Sequence, residues 1–384
     1  MRRNFYEPDH EAYREIVRVY VEREVVPNQA RWEQERNIGR PTWKVAGSQG
    51  LIGLLVPPEF GGQGVADYRY RCVVMEELAR VGAASLSAGF AMQDDIVIPY
   101  LARFGTDDQR ARWLPGLAAG ESIGGIAMTE PAAGSDLQGI RTTAVRDGSS
   151  WVINGSKTFV TNGMNADIVI VVCRTGPERG SKRLSLIVVE SGTEGFARGR
   201  KLDKLGLHAQ DTAELFFDDV RVPAGNLLGT EGAGFRHLMA ELPQERISVA
   251  VQGLTAARAA IDWTVEYTRK RTAFGKPVAS FQNTQFELAA AVTEVDVLEA
   301  YIDKVVRAFN DGELTAVDAA KAKLWASEVQ NRVIDRCLQL FGGYGYMVEY
   351  PICRAFADAR VATIYAGTSE VMKLIIGRDL TGAR

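Results

Sequence analysis

The sequence is poor in the two residue types that build most zinc sites and many nucleophilic sites. It has only three histidines and four cysteines in 384 residues, and none of them stand at metal-ligand or redox-motif spacing. This argues against a structural zinc and against a histidine-centred catalytic triad. The scattered cysteines predict reduced, packed thiols and no metal, so the chemistry has to come from carboxylates or from a cofactor.

Long apolar runs are also missing, and the charge is nearly balanced. The longest apolar stretches, such as residues 166–173, are interrupted well short of the roughly 20 residues that a membrane span requires. The formal net charge of -3 disfavours binding to nucleic acid. Two arginines near the amino terminus are followed by acidic residues, so no secretory or transit signal is indicated. We expect a cytoplasmic protein with no membrane span and no nucleic-acid partner.

The spacing of apolar residues divides the chain into three parts, and the sequence has no internal repeats or low-complexity tracts. Apolar residues recur at helical spacing over residues 1–121, alternate in short β-branched segments over residues 122–231, and return to helical spacing over residues 232–384. The sequence therefore predicts an α+β multidomain fold. Its parts are an N-terminal α-helical domain, a middle β-sandwich or barrel domain, and a C-terminal α domain that resembles a four-helix bundle.

Turn and cap signals mark where individual elements begin and end. Pro and Gly cluster at residues 57–64, and residues 105–108 are typical of a loop with a helix cap. In the middle part, the pairs Asp147-Gly148 and Asn154-Gly155 are typical of turns between strands. The predicted strands are 123–128, 151–153, 157–161, 168–173, 185–189 and 213–222, and the long predicted C-terminal helices are 252–270, 282–310 and 315–340.

Three segments have compositions that let a ligand approach the backbone. Residues 127–136, AMTEPAAGSD, combine small residues, hydroxyls and glycine in a loop after a strand, where amides can reach a flat polar heterocycle or a phosphate. Residues 339–346, QLFGGYGY, place three glycines at the end of a helix. Residues 271–276, RTAFGK, place basic groups at another helix end. Each segment alone also fits an ordinary turn or helix terminus.

A buried carboxylate is predicted within residues 242–253, LPQERISVAVQG. Pro243 suits the first position of a helix, and the small apolar residues after it favour a helix with little solvent exposure. On this interpretation Glu245 lies in the first turn, where it could simply complement the helix dipole. The alternative is that Glu245 is a catalytic base.

Taken together, these segments resemble the acyl-CoA dehydrogenase family over nearly the whole chain and in the family's order. One family pattern matches residues 127–139. The resemblance implies FAD as redox cofactor, an acyl-CoA thioester as substrate, an electron-transferring flavoprotein as electron acceptor, and a homo-oligomer, with a tetramer expected. The second family pattern matches Gln339, Gly342, Gly343, Gly345, Glu349, Arg354 and Asp358.

The resemblance also assigns residues to the cofactor. They come from the loop at 127–136, from a strand beside the flavin ring, from segments that reach the FAD of a neighbouring subunit, and from a segment over the adenosine. Many relatives have Trp where this chain has Phe159, so the aromatic wall is kept and the indole donor is lost. The expected cofactor-binding residues are Met128, Thr129, Gly134, Ser135, Phe159, Val160, Thr161, Arg271, Phe274, Gln282, Gln339, Leu340, Phe341, Gly342, Gly343, Thr368, Ser369 and Glu370.

The chain departs from the family at the position of the usual base. Most relatives have a glutamate where this chain has Ala366, and alanine cannot remove a proton. The long-chain and isovaleryl branches carry their base on the helix that here contains Glu245, followed as here by Arg246. The resemblance therefore implies that Glu245 removes the α-proton while hydride leaves the β-carbon for flavin N5, giving a trans-2-enoyl thioester. The expected substrate-binding residues are Ser135, Arg246, Ala366 and Gly367, with the Ala366 amide donating to the thioester carbonyl.

Other activities on the same fold stay open at this point. Some relatives oxidise acyl groups held on a carrier protein, and others act as oxidases or monooxygenases. Loss of the carboxylate at Ala366 also allows an inactive flavin-binding scaffold. Residues 89–100 resemble the segment that closes the far end of the acyl pocket. Medium to long straight chains or branched chains are expected to be favoured over the shortest ones.

Overall fold

The computed structural model describes residues 3–176 and 183–383. Within these ranges, helices occupy both ends of the chain and strands occupy the middle, as the spacing of apolar residues predicts. The N-terminal helices are α1 Pro8–Tyr20, α2 Gln29–Glu35, α3 Arg40–Ser48, α4 Arg69–Arg80, α5 Ala84–Ala91, α6 Ile98–Phe104 and α7 Asp107–Ala118.

The connections between the N-terminal helices follow the predicted cap and loop signals. The cap at 105–108 is confirmed, because the Thr106 hydroxyl accepts from the Gln109 amide at 3.3 Å and the Gln109 side chain accepts from the Thr106 amide at 3.0 Å. Between α5 and α6 the chain forms a π-helical turn, Met92–Val97. Such turns are rare in proteins as a whole, and those that occur are often located at functional sites.

The middle strands pair into an eight-stranded sheet in the order β6-β7-β3-β2-β4-β5-β8, and β1 joins it by pairing in parallel with β4. Both faces of the sheet are covered, which explains why β4 is apolar throughout. Ile168 and Ile170 face a core shared with α6 and α7, whereas Val169 and Val171 face a core around Trp151. The strands are β1 Gly124–Ala127, β2 Thr143–Asp147, β3 Ser150–Thr161, β4 Ile168–Arg174, β5 Leu184–Glu190, β6 Phe196–Lys201, β7 Thr212–Pro223 and β8 Leu227–Leu228.

The two predicted turns in the middle part have different outcomes. The turn at Asp147-Gly148 is confirmed, because β2 and β3 meet there as an antiparallel hairpin. The turn at Asn154-Gly155 is wrong: β3 continues through it, with a register shift against β7 between Ile153 and Gly155. Glycine is needed because a Cβ at residue 155 would lie 2.5 Å from the Thr142 hydroxyl oxygen. The dipeptide therefore marks a bulge with a close backbone approach.

The C-terminal part is built on one long helix, α8, which packs against α10, α9 and α4. The predicted helix over 282–310 is confirmed as α9. Small residues let α8 and α10 approach closely, since a Cβ at Gly253 would lie 3.2 Å from the Ala326 carbonyl oxygen. The C-terminal elements are α8 Gly234–Lys270, β9 Thr272–Ala273, β10 Lys276–Pro277, α9 Gln282–Asn310, α10 Ala316–Phe341, α11 Pro351–Ala359 and α12 Ser369–Thr381.

Two features are absent from the residues that the structure describes. No helix in residues 3–176 or 183–383 is both long and apolar enough to cross a bilayer. Over the same ranges, no three His, Cys, Asp or Glu side chains are grouped so that they could hold a metal ion.

Candidate active site

Glu245 lies in the interior of α8, and the prediction that its helix begins at Pro243 is wrong. α8 begins at Gly234 and contains Pro243 within it. A proline there removes one main-chain hydrogen bond, which the packing of a long buried helix can offset. Interaction with the helix dipole falls off within the first turn. A favourable interaction between the Glu245 charge and the helix dipole therefore does not explain why a glutamate stands at this position.

The Glu245 carboxyl is buried and has one hydrogen-bond donor. Glu245 is 4% exposed. The Tyr100 hydroxyl of α6 donates a hydrogen bond to Glu245 Oε1 at 3.0 Å. Burial raises the pKa of Glu245 to about 7; Tyr100 opposes this shift and the nearby charge of Glu241 adds to it. A carboxyl that titrates near neutral pH is suited to accept a proton as a general base.

A second polar contact fixes the same turn of α8 to the N-terminal helices. The Ser248 hydroxyl donates to Asp95 Oδ2 at 2.7 Å, and Arg71 Nε of α4 donates to Asp95 Oδ1 at 3.0 Å. Asp95 lies in the π-helical turn between α5 and α6. The sequence analysis missed these residues. The sequence feature that could have indicated them is the pair of acidic residues at 94–95, which stands inside an otherwise apolar helical pattern and so needs buried partners.

Two buried cations, Arg246 and Lys323, lie close enough for the charge of one to affect the other. Arg246 is 6% exposed, its Nε has no hydrogen-bond partner within the described ranges, and burial lowers its pKa. Lys323 of α10 is fully buried, and burial together with the charge of Arg246 lowers its pKa to about 8. Lys323 donates to the Gly367 carbonyl oxygen at 2.6 Å. Lys323, which was not among the predicted residues, therefore holds the predicted substrate-side residue Gly367 and lies near the charge of Arg246.

The loop that replaces the usual base has an uncommon backbone conformation. Ala366 has φ of 52° and Gly367 has φ of 95°. A non-glycine residue in this region costs on the order of 1 kcal/mol, and such strain clusters at functional sites. Tyr365, just before it, lines a cleft with Val249 and Gln252 of α8. Val249 lies one turn after Glu245 on the same helix face, and Tyr365 precedes Ala366, so a close neighbour of each residue lines this cleft.

The predicted flavin loop after β1 is held in place by a buried ion pair. Lys157 Nζ donates to Glu130 Oε1 at 2.8 Å and to the Met128 carbonyl oxygen at 3.0 Å. The Thr158 amide donates to the Thr129 carbonyl oxygen at 2.9 Å. The loop is therefore fastened to β3 next to Phe159. Met128 and Thr129 are among the predicted cofactor residues, whereas the ion pair that holds their loop was not predicted.

Phe159 presents an aromatic face at the surface. It is 67% exposed and has φ of 57°, an outlier for a bulky residue. The neighbouring Val160 is buried and pairs with Ala213, so its side chain faces the core, and Thr161 is half-buried. Across the loop, Gly134 and Ser135 are exposed, and a Cβ at Gly134 would meet nothing within 4 Å.

The segments predicted to reach a neighbouring subunit form a separate surface. The Arg271 guanidinium lies 5.4 Å from the centre of the Tyr344 ring, and Phe274 is 95% exposed with φ of 51°. Phe341 is instead buried and stacks on Tyr267, with ring centres 4.1 Å apart. Within the described ranges, no hydrogen bond, ion pair or aromatic contact joins this surface to residues 128–135. The remaining predicted residues here are Gln282, Gln339, Gly342 and Gly343, which are exposed, and Leu340, which is half-buried.

The third predicted cofactor segment begins α12. Thr368 caps the helix, its hydroxyl accepting from the Val371 amide at 3.3 Å, and Glu370 is exposed. Ser369 is 8% exposed, and its hydroxyl has no hydrogen-bond partner among the residues the structure describes. A buried hydroxyl without a partner is costly, so this oxygen is a candidate contact for a polar ligand.

Known proteins match the chain along its whole length. The sequence profiles for the N-terminal, middle and C-terminal domains of acyl-CoA dehydrogenase match residues 7–121, 125–220 and 232–381. The mitochondrial long-chain specific acyl-CoA dehydrogenase of Sus scrofa is 47% identical over 380 residues, which are 98% of this chain and 88% of that protein. The mitochondrial isovaleryl-CoA dehydrogenase of Oryza sativa subsp. japonica is 35% identical and is covered to 92%, with 98% of this chain aligned.

Solved structures share the same fold. An acyl-CoA dehydrogenase from Geobacillus kaustophilus has a TM-score of 0.95 at 46% identity, covering 98% of this chain and 99% of that chain. A glutaryl-CoA dehydrogenase from Mycobacterium smegmatis in complex with FADH2 has a TM-score of 0.92 at 30% identity, covering 98% and 96%. The profiles, the relatives and the fold agree with the resemblance seen in the sequence. The chain belongs to the acyl-CoA dehydrogenase family of FAD-dependent oxidoreductases.

Proposed function

We propose that the protein converts a saturated acyl-CoA thioester to the trans-2-enoyl-CoA, with Glu245 as the base that removes the α-proton. The strongest support is the position of Glu245 in mid-helix. There it is a buried carboxyl with a pKa of about 7, one turn before Val249, which lines the cleft together with Tyr365. Helix capping does not explain it, and a base with this pKa is about half ionised at neutral pH.

Asp358 is the alternative carboxylate at this cleft. It lines the cleft, and burial raises its pKa to about 6. Its Oδ1, however, accepts from the Leu207 amide at 2.5 Å. Gly206 is pressed so closely against α11 that a Cβ there would lie 2.6 Å from the Asp358 amide. This fits a carboxylate that fastens the 206–207 loop to α11, so Glu245 is the better candidate base.

We assign the Ala366 amide as a donor to the thioester carbonyl oxygen, where negative charge develops as the α-proton leaves. The positive φ of Ala366 and the contact from Lys323 to Gly367 support a fixed orientation for this loop. The buried charge of Arg246 would favour the same developing charge. Backbone donation does not depend on a side chain, so it survives the replacement of the usual glutamate by alanine.

The residues present fit FAD. Phe159 offers an exposed aromatic wall, Gly134 leaves open space beside the loop that carries Thr129 and Ser135, and the buried Ser369 hydroxyl has no partner in the described part of the chain. We propose that these residues, with Met128, Val160, Thr161, Thr368 and Glu370, hold the cofactor from within one subunit. When bound, FAD supplies the acceptor for the hydride that leaves the β-carbon.

We further propose that the protein is a homotetramer that passes electrons to an electron-transferring flavoprotein during fatty acid β-oxidation. Arg271, Phe274, Gln282 and residues 339–343 lie on a surface apart from the flavin loop, which fits a cofactor completed by a neighbouring subunit. A cytoplasmic location is supported by the four unpaired cysteines. Domain boundaries at 121/122 and 231/232 are supported by the ends of α7 and β8.

Anaerobic flavin reduction tests the function. The FAD-loaded protein is mixed with saturated acyl-CoA thioesters of increasing length and with branched ones, and bleaching of the flavin absorbance is followed together with enoyl-CoA formation. We expect medium to long or branched chains to react faster than butyryl-CoA. Rates that are highest on butyryl-CoA and fall steadily with length would overturn the chain preference. Reaction only with a carrier-protein-bound thioester, or none with any thioester, would overturn the proposed substrate.

A further inference from the structure

Tyr100 makes the only hydrogen bond to the Glu245 carboxyl within the described part of the chain. The two side chains come from facing helices, α6 and α8, and their oxygens are 3.0 Å apart. Tyr100 has no exposed surface and otherwise sits in an apolar core with Ile98 and Leu101. Without Glu245 its hydroxyl would be buried with no partner, and burying an unpaired hydroxyl is energetically costly.

We propose that Tyr100 is a positioning residue for the reaction: its hydroxyl holds one oxygen of Glu245, so that the other oxygen is the one presented to the α-proton. This inference rests on the proposed role of Glu245 as the base. It assigns a function to a contact between two residues that are 145 positions apart in the sequence, on helices α6 and α8.

The hydrogen-bond geometry supports different roles for the two carboxylate oxygens of Glu245. Oε1 is occupied by Tyr100, whereas no described residue donates a hydrogen bond to Oε2. The terminal torsion of a glutamate is broad, so a single donor at one oxygen restricts how the other is oriented. A carboxylate held in this way loses less freedom when it takes the proton. The α-proton is transferred to Oε2, and the bonding pair it leaves remains with the substrate.

Tyr100 keeps its own proton throughout. Burial and the adjacent Glu245 raise the pKa of Tyr100 above its ordinary value, so the phenol donates to the carboxylate and does not titrate in the working range. The other charged groups facing Glu245 are on its own helix: Glu241, which pairs with Arg103 of α6 at 3.0 Å, and Arg246. Tyr100 is therefore the neutral donor in this group, and it favours the ionised form of the base.

The test is the pH dependence of anaerobic flavin reduction in Tyr100→Phe. Phenylalanine fills the same space and removes only the donor to the ionised carboxyl. Losing a hydrogen bond to a charged group should raise the midpoint of the pH profile by roughly one unit. The rate at pH 7 should fall about fivefold and recover above pH 9, because the base is still present and becomes ionised there. A purely structural role would lower the rate at every pH without moving the midpoint.

Tyr20→Phe is the matched control. Tyr20 is equally buried, and its hydroxyl donates to the Thr42 carbonyl oxygen at 3.1 Å, away from Glu245. This variant should keep the wild-type midpoint. An unshifted or lowered midpoint in Tyr100→Phe would overturn the role of Tyr100. If Tyr100→Phe does not load FAD, 3-fluorotyrosine is placed at residue 100. It keeps the ring and makes the hydroxyl a stronger donor, so the midpoint should fall, and an unchanged midpoint would overturn the proposal.

Glu245→Gln separates this inference from the proposed function. If Glu245→Gln reduces its flavin at the wild-type rate, the role of Glu245 as base is wrong, and the role of Tyr100 is wrong with it. If Glu245→Gln is inactive while Tyr100→Phe keeps the wild-type pH profile, only the positioning role of Tyr100 is wrong. Inactivity of Glu245→Gln together with the upward shift in Tyr100→Phe supports both.

Discussion

The ion pair between Glu130 and Lys157 should be one of the most sensitive contacts in the molecule. The Lys157 side chain has no exposed surface and that of Glu130 is 6% exposed. Removing one partner of a buried pair costs about 3–5 kcal/mol, because the other charge stays buried. Glu130 also accepts from the amides of Arg141 and Thr142 at 2.7 and 2.9 Å. Lys157→Met leaves those donors in place and should therefore cost about 3 kcal/mol.

Glu130→Gln should cost more, toward about 5 kcal/mol, because the Lys157 charge stays buried with only neutral acceptors, the Met128 carbonyl and the new side-chain amide oxygen. In the double variant no charge is left unpaired, so its loss should be smaller than the sum of the single losses. All three variants are compared by equilibrium urea unfolding, with FAD retention measured in parallel, since the loop at 128–135 loses its attachment to β3. Single losses below about 1 kcal/mol, or strict additivity, would refute the importance of this pair.

Two further predictions follow from the site. The wild-type rate of flavin reduction should rise about tenfold between pH 6 and pH 8, because burial raises the pKa of Glu245 to about 7 and only the ionised carboxylate accepts the proton; a profile that is flat or falls with pH would contradict this. Arg271→Ala should weaken FAD retention and subunit assembly, because the exposed guanidinium beside Tyr344 is expected to pair with a diphosphate across a subunit boundary. Tight FAD binding and normal assembly by this variant, measured by dialysis and analytical ultracentrifugation, would show that the placement of Arg271 is wrong.

Periodicity predicted the elements whose apolar pattern is long or strictly alternating. α9 coincides with the predicted helix at 282–310, and β4 and β5 contain the predicted strands. The wrong predictions come from residues that are compatible with two different local structures. Proline favours a helix start but is tolerated inside a well-packed helix, so Pro243 gave a false beginning for α8. Asn-Gly favours a hairpin turn, but Gly155 serves a close approach to Thr142.

The contacts that complete the site could not be read from local sequence. Tyr100 lies in an apolar segment, and nothing around it indicates that its hydroxyl donates to a carboxyl 145 residues later in the sequence, beyond the β domain. Lys157 occupies an ordinary strand position, and Lys323 an ordinary helix position, yet both are fully buried. Their partners come from distant elements that are brought together only by the packing of the three parts. The candidate base itself was accessible from the sequence because the resemblance connects Glu245 with the loss of the carboxylate at Ala366.

The role of Glu245 is tested most directly by the rate of anaerobic flavin reduction in Glu245→Gln, at saturating acyl-CoA and with FAD content matched to wild type. The amide keeps the shape of the side chain but cannot take the α-proton, and Ala366 offers no substitute. The rate should therefore fall by more than about 100-fold. Asp358→Asn, which alters the carboxyl that lines the cleft, should lose less than about tenfold. Flavin reduction by Glu245→Gln at the wild-type rate, with Asp358→Asn inactive, would show that the base is not Glu245.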